Sequence, residues 1–161
     1  MSKVQTVSTT ASDPTVAAAA AQFLSPVVLG LQALTINGKQ AHWHVRGANF
    51  VGVHELLDTI VAHAGDFADT AAERIVALGL PIDARVSAVA AKAGETGVPA
   101  GFTQSDELVR AVIADIDAIL VDTKAAIDGL DEVDLTSQDV AIEIMRGLEK
   151  DRWFLVSHIA A

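Results

Sequence analysis

KQAHWHVRGANFVGVHELLDTIVAHAGDFADTAAERI, residues 39–75, decides both the fold and the chemistry of this chain. It holds two couplets at helical spacing, His54 with Asp58 and Asp69 with Glu73, and a further histidine, His42, ahead of them. At about 3.6 residues per turn, side chains at i and i+4 share one face of a helix. Asp58 and Asp69 are eleven residues apart, close to three turns, so the couplets share one stripe. At about 1.5 Å of rise per residue they are also roughly 16 Å apart along it. Ligands of one metal ion sit only about 2.0–2.2 Å from it. One copy of this helix therefore cannot close a five-ligand site. An antiparallel copy from a second subunit could, by setting its Asp69 and Glu73 opposite the first chain's His54 and Asp58. The spacing predicts a metal site at a twofold dimer interface. Imidazole combined with carboxylate favours iron, manganese or zinc over calcium or magnesium. Taken alone, either couplet also reads as a solvated acidic face, and a lone His54 as an interface histidine with its hydrogen bonds met.

The rest of the composition narrows the class. The chain has 161 residues, 51% of them hydrophobic, enough for one domain with a sizeable core. Its net charge of −10 and pI near 4.7 repel DNA and anionic membranes and concentrate cations. Without cysteine, disulfides and thiolate metal sites are excluded. Residues Pro14 to Gly38 carry no charge and reach the length of a membrane span. Gln22, Ser25, Pro26, Gln32, Asn37 and a weakly apolar alanine run argue instead for a buried, interface-facing helix. No basic segment precedes a short apolar core, as a secretory signal requires. The expectation is a soluble, cytoplasmic protein.

Residues 1–12, rich in Ser and Thr, read as a flexible tail, and 13–161 as a single domain. Asp13-Pro14 has the form of a helix cap followed by a first-turn proline, opening a helix to about Val45. Ser25-Pro26 repeats that signal inside it, so a kink or a second start is open there. Arg46-Gly47-Ala48-Asn49 is a turn that brings His42 back beside His54. A second helix, about 50–79, ends near Gly79 and Pro81. Glycines and a proline punctuate residues 80–102, with VSAVAAKA as a possible short helix within. Thr103 to Asp106 and Thr136 to Asp139 have capping-box form and open the third and fourth helices. Leu108, Val109, Val112, Ile113, Ile116 and Ile119 form the apolar stripe of the third helix, and Val140, Ile144, Leu148 and Leu155 that of the fourth. No strand signal stands out. The result is an all-α, ferritin-like four-helix bundle with a short helix in its long middle crossover. Ordinary di-iron bundles use Glu-x-x-His pairs. This chain contains none, which moves any metal from the bundle interior to an interface.

The stretches KQAHWHVRGANF, VHELLD and DTAAERI, with GLEKDRWFLVSHI at 147–159, resemble the signature of Dps, the ferritin-like "DNA-binding protein from starved cells" family, across most of the chain. The resemblance implies an inter-subunit ferroxidase site taking His42, His54 and Asp58 from one chain and Asp69 and Glu73 from its neighbour. It implies two iron ions per site, oxidised preferably by hydrogen peroxide, and ferric mineral stored in a hollow homo-dodecamer built from twofold dimers. Trp43 matches a tryptophan that the family keeps near the site, where it would absorb a stray oxidising equivalent; an aromatic core anchor is the alternative. Asp139, with Glu143 one turn later, best matches the family's acidic threefold pore. His44 and His63 fall out of phase with the site on their helices and read as structural or surface residues.

Lysine-rich tails make the phosphate contacts of DNA-binding family members. Here the first 38 residues contain only Lys3, so no appreciable DNA binding is expected at neutral pH. A competing function from a different class is a di-metal hydrolase acting on amide or ester substrates at the same interface, since paired metals activate water.

Overall fold

Asp13 does what the Asp-Pro pair predicts. Its carboxylate accepts the Thr15 N–H at 2.7 Å, and Pro14 takes the first helical position, where a missing N–H costs nothing. The computed structural model describes residues 13–160; the tail expected at 1–12 lies outside the described residues, as does Ala161. Helix α1 (Pro14–His44) runs unbroken through Pro26 rather than restarting there. Ser25 bends its hydroxyl back onto the Ala21 carbonyl at 2.5 Å, and buried Leu24, Val27 and Val28 hold the turn in place. By length and mean hydropathy (1.5) α1 could cross a membrane, but its apolar face is used in packing against α2 and α4.

A five-residue turn leads to α2 (Phe50–Ala77), then α3 (Val86–Ala93), α4 (Ser105–Leu130) and α5 (Leu135–Ile159). Gly47 sits at φ +93°, a left-handed conformation that side-chain-bearing residues rarely adopt, with the flexible Gln104 side chain packed over it. Two strands that the sequence did not announce, β1 (Val45–Arg46) and β2 (Thr103–Gln104), pair in parallel. Two residues are too few for an alternating pattern to register. This short ladder pins the end of α1 to the start of α4, and the Arg46 guanidinium sits 3.3 Å from the Phe102 ring centroid beside it. It also fixes the topology: α1 up, α2 down, a long crossover containing α3, α4 down and α5 up.

The core lies between the four long helices, which pack α1 on α2 and α4, and α5 on α4 and α2. Leu24, Leu31, Leu57, Ile60, Ile116, Ile144 and Leu148 are fully buried in it. Glycines set two close approaches. Phe23 of α1 lies where a Cβ on Gly129 of α4 would be, and Phe67 of α2 does the same at Gly147 of α5. A buried charge joins α2 to α5: Asp151, 1% exposed, meets His63 Nδ1 through both oxygens at 3.0 Å. Burial pushes the Asp151 carboxyl up, and the His63 hydrogen bond works against that rise.

Both expected capping boxes are displaced. The cap of α4 is Gln104 and that of α5 is Asp134, so neither Thr103 nor Thr136 fills the role. Thr103 is instead a strand residue. Asp134 accepts the Ser137 N–H at 3.3 Å and hydroxyl at 2.5 Å, and Arg74, at the end of α2, reaches it at 2.7 Å. Arg74 outcompetes the Thr136 pattern because one carboxylate here caps a helix and ties two helix ends together. Burial raises the Asp134 carboxyl, but the Ser137 and Arg74 bonds more than reverse this and hold it below its ordinary value. Its stabilisation is therefore present above the ordinary carboxylate range and is lost as pH falls through the depressed folded-state value. Asp134→Ala should cost about 1–2 kcal/mol at neutral pH. In thermal melts, the gap from wild type should close as pH drops below about 4.

Candidate metal centre

The turn at residues 45–49 returns the chain so that the last turn of α1 faces the first turns of α2. There His42 and His54 stack, with ring centroids 3.7 Å apart and planes 22° from parallel. Each ring uses Nδ1 on the other's backbone: His42 Nδ1 to the His54 carbonyl at 2.8 Å, and His54 Nδ1 to the His42 carbonyl at 2.9 Å. A carbonyl only accepts, so both Nδ1 atoms carry the proton and both Nε2 atoms keep their lone pair. That is the arrangement in which protein metal sites fix a histidine ligand. The His42 carbonyl is free to accept because it lies in the final turn of α1, where the helix supplies no further N–H. Phe50 covers the outer ring, its centroid 5.2 Å from that of His54. His42 is 8% exposed and His54 half-buried, so the pair is rigidly held.

Asp58 completes a group of three. Its Oδ1 lies 3.8 Å from His42 Nδ1, and it also accepts an ion pair from Lys39 of α1. The hydrogen bond from Lys39 holds the Asp58 carboxyl below the usual carboxylate range, assisted by the charges around it. Lys39 is the residue that motif reading missed; it sits one turn before His42 and sets a cation against the Asp58 carboxylate.

Asp69 and Glu73 do not join the group. Both are exposed on α2, further along the stripe, and neither pairs with a cation among the described residues. Among the described residues no three His, Asp or Glu side chains of this single chain enclose an ion position. His42, His54 and Asp58 thus gather where α1 meets the start of α2, while Asp69 and Glu73 lie towards the other end of α2. Trp43, adjacent to His42 in sequence, is 64% exposed, which removes the core-anchor reading within one chain. His44 bonds back to the Gln40 carbonyl at 2.8 Å, and His63 is taken by Asp151, so neither joins the His42–His54–Asp58 group.

At the other end of the bundle the acidic cluster sorts itself. Lys124 pairs with Asp128, Gln138 donates to Asp131 at 3.3 Å, and Arg74 holds Asp134. Asp139 and Glu143 stay exposed, one turn apart on α5, with no cation paired to either among the described residues.

Comparison with known proteins agrees with this architecture. The ferritin-like domain family matches residues 30–161. The fold is similar to that of the Dps of Microbacterium arborescens in its high iron form, with 69% identity over 96% of this chain and 100% of that one and a TM-score of 0.93. The tetragonal form of Mycobacterium smegmatis Dps is 28% identical over 94% of this chain and 93% of that one, with a TM-score of 0.87. The "DNA protection during starvation protein" of Agrobacterium fabrum is 34% identical over 127 residues, 78% of either chain. Sequence and backbone thus agree over nearly the whole length, and this chain belongs to the ferritin-like Dps family.

Proposed function

We propose that this protein stores and detoxifies iron, oxidising Fe(II) at a site shared by two subunits. The observation that carries the reading is the reciprocal hydrogen bonding of His42 and His54, which commits both Nδ1 atoms to backbone carbonyls and leaves both Nε2 atoms without a protein partner among the described residues, with Asp58 3.8 Å from His42 Nδ1. Three donors of this kind suit Fe(II), and the missing share of ligands is what Asp69 and Glu73 of a twofold-related chain would supply. Added carboxylates favour the ferric product, because harder oxygen ligands prefer the more highly charged ion. With hydrogen peroxide as oxidant, two Fe(II) ions give up one electron each and the O–O bond breaks. Both oxygens then end as water or as oxide of the ferric product, and no hydroxyl radical escapes. Trp43, next to His42 in sequence, would intercept an unpaired oxidising equivalent.

The ferric product would collect inside a dodecameric cage, entering as Fe(II) through pores lined by Asp139 and Glu143. Related proteins are named for DNA protection during starvation. In this chain such protection would come from removing iron and peroxide rather than from coating DNA. A net charge of −10 opposes phosphate contact. The reading assigns the chain to the cytoplasm.

Lys39 tests the site from the other direction. An exposed ion pair is a weak competitor, so Lys39→Ala should tighten Fe(II) binding about two- to five-fold by freeing Asp58. Anaerobic Fe(II) titration reads this directly. Weaker binding in the variant would mean that Lys39 helps to hold the ligand set instead of opposing it.

A further inference from the structure

A cleft of about 340 Å³ opens between α1, α3 and α4, away from His42, His54 and Asp58. It exists because Gly30, Ala33, Ala93 and Ala118 line it with little or no side chain, while Leu34 and Ile119 give it an apolar floor. Its size falls in the range of small-molecule sites. Lys92 of α3 and Asp122 of α4 pair with each other at 2.8 Å and tie the two helices across it.

Among the described residues, one carboxylate in the cleft has no cation beside it. Asp115 of α4 lines it, half-buried, and receives two hydrogen bonds, from Asn37 Nδ2 at 3.2 Å and Thr96 Oγ1 at 2.9 Å. Both donors go to the same oxygen, Oδ2. Among the described residues nothing donates to Oδ1, and no Lys, Arg or His pairs with this carboxylate. Every other carboxylate that lines the cleft is matched: Asp122 has Lys92. Partial burial pushes the Asp115 carboxyl up, the hydrogen bonds from Thr96 and Asn37 working against that rise, and no cation offsets it. The complement to such a site is a single positive charge, carrying N–H donors, on an apolar stem.

We infer that this cleft binds a free aliphatic amine, whose ammonium group donates to Asp115 Oδ1 while its alkyl chain lies along Leu34 and Ile119. An ammonium there forms a charge-assisted hydrogen bond at reduced dielectric, stronger than the neutral alternatives. An alcohol of equal length keeps the apolar contact and loses the charge; a carboxylate of equal length is repelled.

Isothermal titration calorimetry of the assembled protein, in about 0.15 M salt so that distant surface charges are screened, tests this with n-hexylamine, n-hexanol and hexanoate. The expected result is saturable binding of one hexylamine per chain, about tenfold or more tighter than hexanol, with no binding of hexanoate. Asp115→Asn should weaken hexylamine about tenfold or more and leave Fe(II) oxidation at its wild-type rate. Ala118→Leu, which fills the cleft from one turn beyond Asp115 and keeps the carboxylate, should also abolish binding, and it serves if Asp115→Asn does not assemble. Equal affinity for amine and alcohol, non-saturable uptake, or wild-type binding in Ala118→Leu would overturn the assignment. Binding of a capped lysine as tight as that of hexylamine would also overturn it, by giving the site to a protein side chain.

Discussion

Replacing Asp58 by alanine should lower the rate of Fe(II) oxidation by hydrogen peroxide at least about 100-fold. Loss of a partner one shell removed from a metal already costs about 10- to 100-fold, and Asp58 would itself be a ligand. The effect should be specific. Asp58 is exposed within its own chain, and among the described residues its ion-pair partners are Lys39 and His42. The core and the His42–His54 stack do not depend on it, so assembly and thermal midpoint should match wild type. Anaerobic loading with Fe(II) followed by rapid mixing with peroxide reads the chemistry, and one peroxide consumed per two irons is the expected wild-type stoichiometry. An unchanged rate in the variant would place oxidation elsewhere on the chain. Tight zinc or manganese binding with amide cleavage and no iron oxidation would instead transfer the site to hydrolysis.

The second large effect concerns entry. Asp139→Asn combined with Glu143→Gln should slow Fe(II) uptake about tenfold at low ionic strength, since focused fields of one sign raise cation encounter rates by about 10- to 1,000-fold. These are the two acids of the α4–α5 region whose side chains lie one turn apart on the exposed face of α5 without a cation partner among the described residues. Threefold symmetry would multiply two carboxylates per chain into six around one axis. Because the effect is long-range and solvent-screened, the difference between variant and wild type should shrink as salt rises towards about 1 M, where the Debye length is only about 3 Å. Oxidation of iron already bound at the ferroxidase site should be unaffected. Equal uptake by the two proteins at low salt would remove these residues from the entry route.

Much of this was legible in the sequence, for identifiable reasons. The spacing of His54, Asp58, Asp69 and Glu73 encodes both a shared helix face and a separation too long for one ion, and the structure keeps the two couplets apart within the chain. The Asp13-Pro14 start and the apolar stripes of α4 and α5 read correctly because helix period and first-turn chemistry are local properties. What escaped was tertiary. The β1–β2 pair is two residues long and joins segments 58 positions apart. Asp134 displaced Thr136 as a cap because Arg74, 60 residues earlier, reaches it. Lys39 is invisible as a competitor for Asp58 until the turn at Gly47 folds α1 against α2. Asp115 carries no signal of its own in the sequence, and only the fold brings Thr96 and Asn37 onto a single one of its oxygens.

The division of the site between two chains is tested most directly by complementation. Asp58→Ala and Glu73→Ala subunits, each inactive alone, are co-expressed and purified as mixed assemblies. If each site takes Asp58 from one chain and Glu73 from its twofold partner, a mixed dimer holds one intact site and one doubly broken site. Random pairing makes half of the dimers mixed, so about a quarter of wild-type ferroxidase activity should return. Activity no greater than that of the two parents would mean that all five residues serve within one chain, contradicting the shared site.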